Sequence, residues 1–209
     1  MNLVGGIYAN NSKRTEFILE NLKINVNILE ASIPFPEMYI INLGSSCIYP
    51  LEADNPIKEG SVMSGRLEPT NSPYAMAKIA SIEMGNALKM QYGHKIINLM
   101  PTNLYGLNDN YDLKTSHVLP ALIRKFYEAT INHSPTVTCW GTGNPLREFL
   151  YVDDLGDAVV FALENWDPNS INAPRDENSN ALKILNVGTG KDISIRELAY
   201  KISDLFNYR

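Results

Sequence analysis

Apolar residues recur along the chain in short extended runs separated by longer stretches with a helical period. The short runs are rich in β-branched and aromatic side chains, as strands are, and lie at residues 38–43, 95–100, 136–140, 148–152 and 184–187. The longer stretches have apolar side chains three and four positions apart and lie at residues 15–32, 72–92, 116–130, 153–163 and from Ser194 onward. Because strands and helices alternate, the pattern predicts an α/β fold with a mostly parallel sheet.

The stretch at residues 72–92 carries clear helix signals. Ser72 offers an N-cap, and Pro73 suits the first position of a helix. The apolar residues of this stretch form two stripes, one of Ala75, Ile79 and Ile82 and the other of Ala80, Met84 and Ala87. A helix with two apolar sides is expected to be covered on both, by the sheet and by a partner subunit.

Local signals also mark the ends of other elements. Ser194 and Glu197 show the capping-box pattern of a last helix, and Asp153 or Asp154 is expected to cap the helix before it. Segments rich in Gly, Pro, Asn and Asp predict loops at residues 54–70, 101–106 and 165–181.

Composition narrows the class of protein. The 209 residues suffice for one core and at most two domains, and 44% of them are hydrophobic. A net charge of −5 shows no overall basic surface, so we expect no nucleic-acid partner. No apolar run reaches the length of a membrane span, and no metal-ligand spacing is present. The two cysteines, Cys47 and Cys139, argue against a disulfide framework, and we expect a cytoplasmic protein.

Tyr74 and Lys78 are the first candidates for chemistry. They lie four residues apart in a predicted helix, so the phenol and the ammonium share one face. A nearby cation is expected to lower the pKa of the phenol. Residues 44–46 and 101–104 each follow a predicted strand, and such strand ends meet at one edge of a parallel sheet. A tyrosine, a lysine and a serine at that edge can pass a proton to a carbonyl oxygen while hydride reaches its carbon. The pair alone also fits a packed tyrosine and a solvated lysine.

Seven longer motifs follow one another along nearly the whole chain. They are VGGIYANN (residues 4–11), LGSSCIYP (43–50), LEPTNSPYAMAK (67–78), MPTNLYG (100–106), SHVLPAL (116–122), WGTG (140–143) and REFLYVDD (147–154). With these motifs the chain resembles the extended short-chain dehydrogenase/reductases that act on nucleotide sugars, the NAD-dependent epimerase/dehydratase family. The resemblance implies a Rossmann-like fold and an enzyme that binds a nicotinamide cofactor.

Within that family the motifs resemble enzymes that carry out a two-part reaction on GDP-4-keto-6-deoxy-D-mannose. The sugar is epimerised at C3 and C5 and then reduced at C4 with NADPH, which gives GDP-L-fucose. The resemblance implies that Tyr74 donates a proton to the C4 oxygen and that Lys78 lowers the pKa of Tyr74 and contacts the nicotinamide ribose. It implies that Ser45 hydrogen-bonds the reacting oxygen and that Cys47 and His117 are the two acid/base groups of the epimerisations.

The resemblance also implies the ligand contacts. The implied NADP(H)-binding residues are Leu43, Gly44, Ser45, Ser46, Lys78, Pro101, Thr102, Asn103, Leu104 and His117. Lys125, Trp140 and Arg147 are implied at the GDP end of the substrate. A homodimer is implied, with residues 15–32 and 74–92 at its interface. Apart from the resemblance, Cys47 also fits a buried filler, His117 a helix cap, Trp140 a cover for the sheet and Arg147 a surface ion pair.

The resemblance divides the chain into two parts. Residues 1–110 are expected to form an incomplete dinucleotide-binding domain, and residues 111–209 mainly a substrate-binding part with some segments returning to the sheet. The glycine-rich fingerprint that opens such domains has no match, because no glycine cluster has the required spacing after a first strand. We therefore expect the chain to be truncated at both ends, with about 60 residues in two βαβ units missing before its start.

Two alternatives remain open at the level of sequence. One is a non-catalytic or split-gene fragment of such an enzyme. The other is a different nucleotide-sugar epimerase or dehydratase, although dehydratases carry an Asp-Glu pair where Ser46, Cys47 and Ile48 stand here.

Overall fold

Three parallel strands form the sheet that carries the candidate site in the computed structural model, which describes residues 4–167 and 170–208. β1 (Tyr39–Leu43) pairs along its whole length with β2 (Lys95–Pro101), and β2 pairs with β5 (Leu185–Val187). β2 is the central strand and is buried over nearly all of its length. Within the described part of the chain, β1 has a neighbouring strand on one side only.

A second sheet also has three strands. β3 (Asn103–Tyr105) pairs in parallel with β4 (Leu146–Tyr151), and β4 pairs antiparallel with β6 (Asp192–Ser194). Only Thr102 separates β2 from β3, so the chain passes directly from one sheet to the other at that residue. The predicted α/β fold with mostly parallel strands is confirmed, with the strands divided between two small sheets.

Six helices cover the sheets in the described residues: α1 (Ile7–Ser12), α2 (Arg14–Ser32), α3 (Ser72–Tyr92), α4 (Val118–Ile131), α5 (Val152–Asn165) and α6 (Ile195–Leu205). α2 and α3 pack side by side on one face of the first sheet, where Leu29, Leu88 and Ile96 share a core. α5 covers the opposite face through Ala162, against Ile97 and Leu99 of β2. α4 and α6 share a separate core, which Phe149 of β4 extends.

Several local predictions were wrong. Residues 136–140 form no strand; the carbonyl oxygen of Thr138 accepts a hydrogen bond from Lys125. Residues 103–105, predicted as loop, form β3, because β4 lies alongside and supplies hydrogen-bond partners. α1 and β6 were not predicted.

Helix caps were predicted less well than helices. α3 is capped by Asn71 and not by Ser72, so Pro73 is its second residue. Tyr151 caps α5, which leaves Asp153 and Asp154 in the first turn, where their charges still favour the positive end of the helix. The capping box of α6 is confirmed: the hydroxyl of Ser194 accepts from the Glu197 amide, and the Glu197 carboxylate accepts from the Ser194 amide. Of the loop predicted at residues 165–181, residues 168 and 169 lie outside the described residues.

Candidate active site

A tight turn at the carboxyl end of β1 holds two of the predicted catalytic residues. The Gly44 amide donates to the Leu99 carbonyl at 2.8 Å, and a Cβ atom on Gly44 would collide with the thioether of Met100. Glycine at position 44 therefore leaves room for the Met100 side chain beside the turn, and a larger residue there would require Met100 to move. Ser45 caps the short 3-10 helix Ser46–Ile48, and its hydroxyl accepts a hydrogen bond from the Cys47 amide at 3.5 Å.

Tyr74 and Lys78 lie beside this turn, in the first two turns of α3. Lys78 is only 3% exposed, and its Nζ donates to the Leu43 carbonyl at 2.8 Å. The same Nζ lies 5.7 Å from the centre of the Tyr74 ring. On another side the ring of Phe17 meets Tyr74 edge-on, with 6.2 Å between ring centres. Lys78 thus ties α3 to the end of β1 and places Tyr74 next to the turn.

Burial dominates the electrostatics of this cluster. Burial raises the pKa of the Tyr74 phenol above its ordinary value, and the neighbouring Cys47 adds to the shift. Burial also lowers the pKa of Lys78, and Cys47 opposes that shift. The pKa of Cys47 is raised by burial, although Ser45 and Lys78 act in the opposite direction. The sequence predicted that Lys78 lowers the Tyr74 pKa, but the pKa is raised, because burial disfavours the charged phenolate.

The residues predicted to line the cofactor come from two neighbouring strand ends. Leu43 to Ser46 end β1, and the crossing from β2 to β3 holds Pro101, Thr102, Asn103 and Leu104. The Thr102 amide donates to Val187 at 3.1 Å, and the Asn103 side chain donates to the Glu148 carbonyl at 3.0 Å. The Thr102 hydroxyl is buried and has no hydrogen-bond partner within the described residues. A buried hydroxyl of this kind is suited to a bound ligand.

His117 lies further along and is linked to the cluster indirectly. It occupies the N-cap position of α4 without a side-chain capping bond, and it is exposed. Desolvation by surrounding protein nevertheless lowers its pKa, while Asp109 opposes the shift. The preceding loop is held by Gly6, whose amide donates to Thr115 at 3.0 Å. A Cβ atom on Gly5 would touch both Thr115 and Phe17, the residue that packs on Tyr74. Gly5 and Gly6 therefore lie between the loop that precedes His117 and the Phe17 ring that packs on Tyr74.

Two of the three predicted GDP-binding residues come together. The Nζ of Lys125 lies 4.6 Å from the centre of the Trp140 ring, and it also donates to Thr138 at 2.8 Å. Trp140 remains 69% exposed, so one face of a flat aromatic ring beside a cation is open to solvent. Arg147 is exposed on β4, and its guanidinium donates to the neighbouring Leu146 carbonyl at 2.7 Å. The structure shows no contact of Arg147 with the other two among the described residues.

The sequence did not predict that Phe17 and Glu148 lie near the site. Phe17 was visible only as an apolar position of α2, and nothing in its spacing shows that it meets Tyr74. Glu148, on β4, accepts from the Gly190 amide at 2.7 Å and from the Thr189 hydroxyl at 3.2 Å. It thereby holds the loop after β5 next to Thr102. The two glycines of residues 188–190 indicate a turn at this edge of the sheet.

The described residues contain no helix long and apolar enough to cross a membrane. Within the same ranges, no group of three or more His, Cys, Asp or Glu side chains is placed to hold a metal ion.

A Tyr–Lys pair thus lies beside a serine and a cysteine at the carboxyl end of parallel strands, the edge at which α/β sheets bind ligands. The chain belongs to the NAD dependent epimerase/dehydratase family, whose model matches residues 1–174. It is 45% identical over 207 residues to a probable GDP-L-fucose synthase 1 of Oryza sativa subsp. japonica, covering 99% of this chain and 59% of the relative. It is 44% identical over 210 residues to the GDP-L-fucose synthase of Escherichia coli strain K12, covering 99% of this chain and 63% of the relative.

Solved structures show the same similarity. A GDP-D-glycero-L-gluco-heptose synthase from Campylobacter jejuni, determined in the presence of NADPH, matches all of this chain and 68% of its own with a TM-score of 0.85 and 32% identity. A GDP-L-fucose synthetase from Naegleria fowleri bound to NADP matches with a TM-score of 0.81 and 28% identity, covering 100% of this chain and 60% of that one. The chain thus spans about three fifths of the length of the two synthases it matches in sequence.

Proposed function

We propose that this chain carries the catalytic residues of an NADP-dependent 3,5-epimerase/4-reductase that converts GDP-4-keto-6-deoxy-D-mannose to GDP-L-fucose. The observation that carries the proposal is the cluster of Ser45, Cys47, Tyr74 and Lys78 at the end of β1. This chain is also 44–45% identical to GDP-L-fucose synthases, which supports the same substrate.

NADP(H) is the proposed cofactor, and it supplies hydride to C4 of the sugar when bound. The buried hydroxyl of Thr102, which has no hydrogen-bond partner among the described residues, fits a ligand at this edge. The proposed contacts are Leu43, Gly44, Ser45, Ser46, Lys78, Pro101, Thr102, Asn103, Leu104 and His117. A solved relative bound to NADP supports the choice of cofactor.

For the reduction, we assign the proton to Tyr74. Burial raises the pKa of its phenol, so the hydroxyl keeps its proton at neutral pH until a developing C4 alkoxide accepts it. Ser45 lies in the turn at the end of β1, and its hydroxyl can donate a hydrogen bond to that oxygen. Lys78, with its ammonium near the Tyr74 ring, stabilises the phenolate left behind.

For the epimerisations, opposite pKa shifts suggest separate roles for two residues. The raised pKa of Cys47 favours a protonated thiol, which can donate a proton. The lowered pKa of His117 favours a neutral imidazole, which can accept one. Epimerisation beside a ketone removes a proton on one face of the sugar and returns one on the other, so it needs groups of both kinds on different elements. We therefore assign the acid to Cys47 and the base to His117.

The GDP end is assigned to Lys125, Trp140 and Arg147. The Trp140 ring offers an open face for stacking a guanine base, and the Lys125 ammonium beside it adds positive charge. Arg147 on the adjacent strand can bind two phosphate oxygens with its planar fork.

We propose two functional parts, residues 1–110 for the dinucleotide and residues 111–209 mainly for the sugar nucleotide. The pairing of β5 with β2 supports the expectation that later segments return to the first sheet. A cytoplasmic location is also proposed, because Cys47 and Cys139 are free thiols and fit a reducing compartment.

The direct test mixes purified chain, NADPH and GDP-4-keto-6-deoxy-D-mannose and follows the loss of NADPH absorbance. Consumption of NADPH with formation of GDP-L-fucose is the expected result. Folded chain that consumes no NADPH, under conditions in which a full-length synthase does, would refute activity of this polypeptide by itself.

A homodimer through α2 and α3 is proposed from the outward faces of these helices. One stripe of α3, with Ala75, Ile79 and Ile82, is buried as predicted. Of the second predicted stripe, Ala87 is exposed, whereas Met84 packs against the core of α2 and α3. Elsewhere on α3, Met76 is 45% and Met90 87% exposed, and α2 leaves Leu19 47% exposed. Apolar side chains that point away from the core on two adjacent helices suit a second copy of the same surface.

We expect the Leu19→Asp/Met76→Asp variant to be monomeric, because each charge would be buried against the partner. The measurement is molar mass by light scattering after size-exclusion chromatography. The matched control is Leu205→Asp, which places the same charge at an exposed leucine at the end of α6 and should leave the dimer unchanged. A monomeric unmodified chain, or a variant that remains dimeric, contradicts the proposal.

A further inference from the structure

The two longest strands of the first sheet contain the same tetrapeptide. Ile-Ile-Asn-Leu occurs at residues 40–43 of β1 and again at residues 96–99 of β2. The two copies are paired residue for residue, so Asn42 lies opposite Asn98 and Leu43 opposite Leu99. Each copy therefore places one polar side chain among apolar ones, and the two polar side chains meet.

A chain of hydrogen bonds starts from this pair. The Asn42 amide donates to the Asn98 side-chain oxygen at 2.8 Å, and Asn98 donates to the Lys183 carbonyl at 2.8 Å. On the other side, the Ser81 hydroxyl donates to the Asn42 side-chain oxygen at 3.2 Å. Asn98 is 1% and Ser81 3% exposed, whereas Asn42 is half-buried, so Asn98 and Ser81 depend on Asn42 for a hydrogen-bond partner that water does not replace.

The pair distinguishes one strand register from its neighbours. The isoleucines and leucines of the two copies differ little in size and polarity, so they distinguish one register from another less sharply than the asparagines do. A shifted strand would instead place each asparagine against an apolar side chain and leave buried amides without partners. The polar pair therefore penalises every register except the observed one.

The register decides where the candidate site is built. Leu43 is followed by the turn of Ser45 and Cys47, and its carbonyl receives the Lys78 ammonium at 2.8 Å. Ser81 lies one helical turn after Lys78, so the Ser81–Asn42 bond is a second tie between α3 and β1. Moving β1 along β2 would shift the turn relative to Thr102, at the end of β2.

We propose that Asn42 and Asn98 are positioning residues: their amide pair sets the register of β1 on β2 and thereby holds Lys78 and the Cys47 turn opposite the β2–β3 crossing. Neither side chain takes part in chemistry. The consequence for turnover rests on the proposed function, whereas the consequence for the geometry of Cys47 does not.

The test uses Asn42→Val, Asn98→Val and the double variant, all in a Cys139→Ser background so that Cys47 is the single thiol. Unfolding midpoints report stability, and the pH profile of Cys47 alkylation by iodoacetamide reports the site. Rates of NADPH consumption give kcat and KM. The matched control is Ile41→Val/Ile97→Val, which trims the neighbouring register pair without touching an amide.

Asn42→Val leaves the buried amide of Asn98 without its donor, and Asn98→Val leaves the half-buried amide of Asn42 without its acceptor. We therefore expect a lower midpoint for each than for the background protein, with the larger loss in Asn42→Val. The double variant leaves no amide side chain unpaired, although the Ser81 hydroxyl and the Lys183 carbonyl each lose a partner, so it should recover part of the midpoint. Its Cys47 should nevertheless be alkylated faster at neutral pH, by about threefold or more, because a displaced turn buries the thiol less. Lower burial lowers its pKa, and the thiolate fraction changes about tenfold for each unit of pKa. The control pair should keep the background alkylation profile, and kcat of the double variant should fall while that of the control does not.

A double variant with background stability and a background alkylation profile overturns the proposal, as do single variants that lose no stability. If the valine pair does not fold, Asn42→Ala/Asn98→Ala replaces it; failure of both to fold shows that the pair is needed for the fold as such, and also overturns the proposal. If the background protein consumes no NADPH, the proposed function fails, and the alkylation profile still decides the role of the pair.

Discussion

Replacing Tyr74 by phenylalanine is expected to lower kcat for NADPH-dependent reduction by about 10²- to 10⁴-fold, the contribution of a positioned proton donor. The substitution removes only the hydroxyl. The ring contact with Phe17 and the position of Lys78 over the ring should persist, so the fold should be unchanged. Initial rates of NADPH consumption measure the effect, in a chain shown to be folded by circular dichroism.

Tyr92→Phe is the matched control for this variant. It removes the same hydroxyl from the opposite end of α3, where Tyr92 is 44% exposed. We expect its kcat to equal that of the unmodified chain, with KM for the sugar nucleotide unchanged in both variants. A Tyr74→Phe chain that reduces the substrate at the unmodified rate would show that another group supplies the proton.

The pairing of Tyr74 with Lys78 could be predicted because it is local. One helical turn separates the two residues, and glycine and serine directly after a strand show where that strand ends. What Lys78 does was not predictable, because its hydrogen-bond acceptor, Leu43, lies 35 positions away in the sequence. The direction of the Tyr74 shift failed for a related reason: the predicted cation is present, but burial is a property of the whole fold.

Residues 136–140 illustrate the limit for short strands. Their alternation of apolar and polar residues is typical of a strand, yet a strand also requires a neighbour with free backbone groups. Here Lys125 donates to Thr138 and lies over Trp140, so these contacts between residues far apart in sequence shape the segment. β3 and β6 show the converse, since three residues each become strands because β4 lies between them.

Cys47→Ser is expected to separate epimerisation from proton exchange. With Cys47 as the acid and His117 as the base, the sugar bound to the variant can still lose a proton to His117. That proton can then exchange with solvent before it returns to the same carbon. The variant lacks the donor on the opposite face, because a serine hydroxyl is a far weaker acid than a thiol. We therefore expect inversion at C3 and C5 to fall by about 10²-fold or more, while deuterium from heavy water still enters the sugar.

The measurement is made without NADPH, so that reduction does not remove the substrate. NMR of the sugar nucleotide in heavy water follows deuterium at C3 and C5 and the configuration of each carbon separately. His117→Gln should abolish both exchange and inversion, and Cys139→Ser, which replaces the exposed second cysteine, should alter neither. Because burial raises the Cys47 pKa, inversion by the unmodified chain should persist to higher pH than an ordinary thiol would allow, and should be lost once the thiol ionises. Inversion at the unmodified rate in Cys47→Ser would assign the acid to a different residue.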